Sequence, residues 1–185
     1  MECKECKGVQ DNSTSRCNVL HSIALHCTPY HSLKKMTREE KRQQVICSCI
    51  QQQEHIAAIA KQEMDSAQQQ SNDYGANVDR YDAYRTKMMR SRDMYAKQYS
   101  NALAGIRALQ ELLKQPPHDI VDHGSAVVTD RQKFLLSIGA GKFSNGNEVW
   151  FAISAQTPIY MAVKGRHVGE SFIINGQTQT IKEIF

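Results

Sequence analysis

Gln70-Ser71-Asn72-Asp73-Tyr74-Gly75-Ala76-Asn77-Val78-Asp79 is the stretch whose reading decides the fold. It breaks a long run that otherwise lacks proline. Thr37 to about Gln70 reads as helix on one side, and Val78 to about Lys114 reads as helix on the other. Gly75, beside Asn72, Asp73 and Asn77, is the punctuation between them, because these residue types favour turns over helix interiors. Two such helices joined by a short break form an antiparallel hairpin, each arm roughly 50 Å long at the rise of an α-helix. Asp73, Asp79 and Asp82 fall at the expected tip. Acids placed far from a globular body suggest a probe that acts inside a partner.

Working outward, the second helix has the clearer period. Met88, Tyr95, Tyr99, Ala102, Ile106, Leu109 and Leu113 alternate steps of four and three, a heptad seam with Arg92 as its polar exception. The first helix offers Ile46, Cys49, Ile50, Ile56, Ala57, Ala60, Met64 and Ala67 as the facing stripe. Glutamine and alanine thin this seam toward the tip. Thr37-x-x-Glu40 is a capping box, in which each residue satisfies an open backbone N–H of the other. It predicts that the helix begins there and makes Met36 a plausible true start. Residues 1–35 then read as a disordered upstream extension.

Pro116-Pro117 ends the second helix, since proline removes a ladder donor and restricts the residue before it. Residues 116–123 read as a linker. The pattern then changes to period two with β-branched residues. Ser125–Thr129, Lys133–Ile138, Glu148–Ser154, Ser171–Ile174 and Thr178–Ile184 are the strand candidates. Turns are marked at Thr129-Asp130, Gly139–Gly141, Asn145-Gly146-Asn147 and Asn175-Gly176. Thr157-Pro158 followed by Ile159–Lys164 reads as a short helix with proline at its first position, closed by Gly165. The expected class is α+β: a helical hairpin over 36–115, then a small antiparallel sheet domain with one short helix over 124–185. Trp150, Phe134, Phe151 and Phe172 are the candidates for its core or an apolar face.

The chain has 185 residues, 23% of them charged, and a formal net charge of +4. Global charge therefore does not by itself point to nucleic acid. Arg80, Arg85, Lys87, Arg90, Arg92 and Lys97 do cluster, either as a solvated helix face or as a patch that steers toward a polyanion. No stretch approaches the roughly 20 apolar residues that span a bilayer. Residues 18–27 are only mildly apolar and are interrupted by His21 and His26, a poor export signal. The expectation is a cytoplasmic protein with no membrane partner. The six cysteines lie in the first third of the chain. A disulfide framework would need export. Cys3-x-x-Cys6 with Cys17 and His21 resembles a zinc-ligand spacing. Cys47 and Cys49, inside the first helix, read as small packing residues or exposed thiols.

The segment from Phe151 through Ala-Ile-Ser-Ala-Gln-Thr-Pro-Ile-Tyr-Met-Ala-Val-Lys-Gly-Arg-His-Val-Gly-Glu to Phe172 resembles the signature of bacterial Gre transcript-cleavage factors. Thr157-Pro158, Ala162, Gly165 and Val168-Gly169-Glu170 match that pattern. Tyr160 and Met161 depart from its glycine and basic residue. The likeness covers about 36–185 and is most specific in the last 40 residues. It implies an FKBP-like C-terminal domain that binds RNA polymerase, through Thr157, Pro158, Gly165, Val168 and Gly169. It also implies a hairpin inserted into the secondary channel, close to nascent RNA. Two tip carboxylates would help hold a Mg²⁺ in the polymerase active site, where a hard cation takes oxygen ligands and activates water. Any cleavage would be the polymerase's chemistry. The chain itself is expected to be a monomeric accessory factor without enzyme activity or a tightly bound cofactor.

The tip carries two registers. Asp79-Arg80-Tyr81-Asp82 keeps the three-residue spacing of the family's acids, and one helical turn would put both on one face. Aligning Tyr81 with the family's tyrosine instead places the acidic positions at Tyr74 and Asn77, leaving Asp73 as the nearest acid. Aspartates at a helix start also serve as caps. A non-cleaving channel regulator, a coiled-coil adaptor that oligomerises through the seam, and a prolyl isomerase of FKBP type remain as alternatives.

Overall fold

A computed structural model of the chain describes residues 36–73, 83–174 and 176–185. Residues 36–185 form one compact unit. Asp79, Arg80 and Asp82, the break around Gly75, Asn175, and Cys3, Cys6, Cys17 and His21 with the rest of 1–35 lie outside the described residues.

The capping box forms as its spacing predicts. The Thr37 N–H donates to Glu40 Oε2 at 2.7 Å, and the Glu40 N–H donates to Thr37 Oγ1 at 3.2 Å. Helix α1 runs from there over Arg38–Asp73, and α2 covers Ala83–Leu113. The helices run antiparallel. Gln68 and Gln70 near the end of α1 meet Arg92 and Tyr84 near the start of α2, while Arg42 near the start of α1 meets Leu112.

The seam is uneven. Near the base, Val45, Ile46, Cys49 and Ile50 bury against Ile106, Leu109 and Leu112. Further out, α1 buries only small or polar residues, namely Gln53, Ala57, Ala60, Ala67 and Ser71. Ile56, expected in the stripe, is exposed instead. The buried positions Gln53, Ala57 and Ala60 define the face toward α2, and Ile56 lies outside that stripe. Both cysteines in α1 are buried. The packing reading therefore holds for them.

Six strands follow: β1 Ala126–Thr129, β2 Lys133–Ser137, β3 Gly141–Asn145, β4 Glu148–Ser154, β5 Ser171–Ile174 and β6 Gln177–Ile184. The short helix α3, Pro158–Val163, lies between β4 and β5. The sheet order is β3-β4-β2-β1-β6-β5. It is mostly antiparallel, not wholly so as the strand pattern suggested. The β2–β4 pair is parallel, with Phe134 opposite Phe151 and Leu136 opposite Ile153. Strand β3 was expected only as a region between two turns. It forms an edge strand whose partner is β4, paired from Gly141–Ala152 to Asn145–Glu148.

Both faces of the central strands are covered, which explains runs such as Phe134-Leu135-Leu136 that do not alternate with polar residues. Ala126, Leu135, Trp150 and Ala152 face one core, shared with the hairpin base. Val127, Phe134, Leu136, Ile153 and Phe172 face the other, closed by Tyr160 and Val163 of α3. The hairpin base and the sheet thus share a core. Trp150 and Phe134 are buried on opposite faces, and Phe151 is half-buried.

Candidate interaction site at the short helix

The Thr157-Pro158 stretch builds a corner from local rules. Thr157 is the N-cap of α3, in extended conformation, and its Oγ1 accepts from the Tyr160 N–H at 3.4 Å. The same hydroxyl donates to Ser154 O at 2.8 Å, tying the cap to the end of β4. Pro158 occupies the first turn, where a missing N–H costs nothing. At the other end Arg166 closes the helix. Its Nε donates to Ala162 O at 2.7 Å and its Nη1 to Ser171 O at 2.8 Å. Cations at a helix C-terminus favour the exposed carbonyls there.

Gly165 has φ +76 and Gly169 φ +91, conformations that side chains rarely adopt. Their N–H groups donate to Val121 O at 2.8 Å and Ile181 O at 2.8 Å. The Val121 N–H in turn donates to Arg166 O. Three of the five expected docking residues, Thr157, Gly165 and Gly169, therefore shape the corner through caps and turns. Pro158 and Val168 remain exposed on it, together with Met161, at 68% the most exposed large apolar side chain among the described residues.

Tyr160 points the other way. It is buried, and its hydroxyl donates to Asp122 Oδ1 at 3.2 Å. The His123 backbone N–H holds the Asp122 carboxyl below the usual carboxylate range. Burial opposes this, while the Tyr160 hydroxyl and the nearby Lys164 and His118 side chains add to it. Lys164 Nζ stands 5.6 Å from the centre of the Tyr160 ring. Beside them opens a shallow cleft of about 370 Å³ whose lining includes His118, Asp122, Lys164 and Gly165. Tyr160 thus binds the linker to α3. A bulky residue at that position was legible, but its partner Asp122 was not.

The expected basic face divides. Lys87, Arg90 and Lys97 are exposed, whereas Arg85 and Arg92 are half-buried. Arg92 Nη1 donates to Gln68 Oε1 across the hairpin at 2.8 Å, and Nη2 pairs with Asp93 at 2.6 Å. Asp73, the acid of the alternative register, is exposed at the end of α1. Among the described residues no group of three or more His, Cys, Asp or Glu is arranged to hold a metal ion. Among the same residues no helix is long and apolar enough to cross a membrane.

One residue that sequence reasoning missed is Arg42. It is 1% exposed, and its guanidinium donates to Gly124 O at 2.9 Å, Gln115 O at 2.7 Å and Leu112 O at 3.0 Å. Burial lowers its pKa from the ordinary arginine value, and the nearby Glu39 charge opposes that shift. Arg38, one turn earlier, donates to Ile184 O at 2.7 Å, to His118 O and to Asp119 Oδ1 at 2.6 Å.

No protein-family model matches the sequence, and no curated protein matches it. Among solved structures, the chain is similar to GreA factor homolog 1 (Gfh1) of Thermus thermophilus. The match has 14% identity over 74% of this chain and 94% of that one, with a TM-score of 0.29. At that level the likeness carries no functional weight.

Proposed function

We propose that this chain is a regulator of RNA polymerase that docks through the corner around α3 and inserts its helical hairpin into the secondary channel during elongation. The observation that carries the reading is the place of the Gre-like segment in the fold. Thr157-Pro158 starts a short helix on the sheet, and the same chain carries a hairpin of 36- and 31-residue helices. That is the organisation the resemblance implies. Pro158, Met161 and Val168 offer apolar contact, the kind of surface residue that anchors partner interfaces.

Cleavage of backtracked RNA is the stronger form of the proposal, with Asp79 and Asp82 lending oxygen ligands to a polymerase-held Mg²⁺. The register that places Tyr74 and Asn77 at the acidic positions favours a weaker form, a channel regulator that does not cleave. Co-purification with RNA polymerase tests both, followed by cleavage assays on stalled complexes with Asp79→Ala and Asp82→Ala. Retained binding with lost cleavage supports the tip assignment. Normal binding without stimulation by the unaltered protein leaves the non-cleaving form. Absence of co-purification overturns the reading.

A further inference from the structure

Arg42 makes an unusual set of contacts for a fully buried cation. Among the described residues no carboxylate lies within ion-pair distance of it. Its acceptors are backbone carbonyls from the end of α2 and from the residues entering β1. The Leu112 carbonyl belongs to the last turn of α2, where the macrodipole is negative, and the Gln115 carbonyl follows two residues beyond the helix end. A planar fork with five donors suits several fixed carbonyls at once, and an ammonium group does not.

Gly124 is shaped for this contact. Its φ is +92, and a Cβ there would lie 3.2 Å from Arg42 Nη2 and 3.0 Å from Leu112 Cδ2. Arg38 repeats the device on the outside, gripping the linker at His118 and Asp119 and the end of β6 at Ile184. Residues four apart on a helix lie on one face. One face of the first turns of α1 therefore holds α2, the linker and the sheet together.

We infer that Arg42, backed by Arg38, is the pin that fixes the angle at which the hairpin leaves the sheet domain. Units joined by a linker move relative to each other by default unless their interface is large and apolar. Here the shared apolar core sits at the hairpin base, and the arginine fork ties the start of α1 to the end of α2 and to the entry of β1 beside it. Because the guanidinium stays charged across the accessible pH range, the pin is permanent and not a proton switch.

The functional relevance of the pin rests on the proposed role of the hairpin as an inserted arm. The test of the pin needs no polymerase, so either can fail without the other. Fluorophores attached through non-canonical amino acids at the exposed positions Gln69 and Thr178 of the full chain would report the distance distribution between arm and sheet. The unaltered protein should give one narrow distribution, unchanged in high salt because the contact is buried. Arg42→Gln should broaden it to roughly double the width while helix content is kept. Arg42→Lys should also broaden it, since the charge remains but the fork is lost. Arg38→Gln, an exposed change that leaves the core intact, should broaden it less and covers the case in which Arg42 variants do not fold. Folded Arg42→Gln and Arg38→Gln proteins with the narrow distribution of the parent would overturn the inference.

Discussion

The two ends of the hairpin are built from different materials. At the base, branched and aliphatic side chains of both helices interlock with Leu135, Trp150 and Phe185 of the sheet domain. Toward the far end, alanines and a serine fill the α1 side of the seam, and the cross-helix contacts become polar: Arg92 to Gln68, and the Tyr84 hydroxyl to Gln70 Oε1 at 3.4 Å. Small side chains bury little area and so contribute little free energy. The base is a core that happens to be helical. The outer half is an arm that the base carries.

The largest test of that contrast removes bulk at each end. Leu109 is fully buried, so Leu109→Ala should cost about 3 kcal/mol in urea unfolding followed by circular dichroism. Met64→Ala, half-buried in the outer half, should cost under about 1 kcal/mol. Equal losses at the two sites would mean that the arm is as much a core as the base.

A smaller effect probes the pinned corner. Gly124→Ala meets both a left-handed backbone and the close contacts with Leu112 and Arg42, and should cost about 2 kcal/mol. Gly146→Ala has a positive φ of +60 but open space around its Cβ, so it should cost only about 1 kcal/mol. The difference between the two thermal unfolding midpoints reports the close packing of Gly124 against Leu112 and Arg42. Equal midpoints would leave backbone strain alone and deny the close fit.

The base should also respond to alkali. Burial pushes the Cys49 thiol up to about 12, from an ordinary 9.0. The folded state then prefers the neutral thiol. Its contribution is full below pH 9 and is lost as pH rises from there toward 12. One unit above the ordinary value, the loss is about 1.4 kcal/mol. Lysines and tyrosines titrate in the same range, so the measurement is the difference between the parent and Cys49→Ala, whose stability should fall less steeply above pH 9. Parallel curves would place the thiol in contact with water.

What could be read from the sequence was what local chemistry dictates. The capping box at Thr37, the proline stop at 116–117 and the Thr157-Pro158 helix each depend on residues within a few positions, and each formed. Strand β3 was hidden because Gly141 and the Asn145-Gly146 turn leave only three residues with strand character, and β4 supplies the pairing. The parallel β2–β4 pair was hidden for the same reason, since period-two patterning says which residues face a core but not which strand lies alongside. Arg42 was the deepest miss. A basic residue between lysine and glutamine reads as solvated, and its acceptors lie 70 to 82 positions away. Of the candidate site, the local conformation was legible: Thr157-Pro158 marks a helix start and Gly165 its end, and Thr157, Gly165 and Gly169 shape the turns that expose Pro158, Met161 and Val168.

The smallest expected effect is the most telling about the arm. Arg92 stands at a seam position between Met88 and Tyr95, where a heptad asks for an apolar side chain. Its ion-pair partner Asp93 is largely exposed, and pairs open to solvent contribute little. The Gln68 contact adds one hydrogen bond to a charged group. Arg92→Leu should therefore change stability by no more than about 0.5 kcal/mol in either direction, because apolar seam contact offsets the lost polar ones. A loss of 2 kcal/mol or more would show that the polar bridge to Gln68 holds the outer helices together and that the arm has its own specific lock. A neutral result combined with weaker action on stalled polymerase would give Arg92 a different meaning. The outer seam would then keep a cation that its packing does not require, as expected of an arm whose far half works inside a partner.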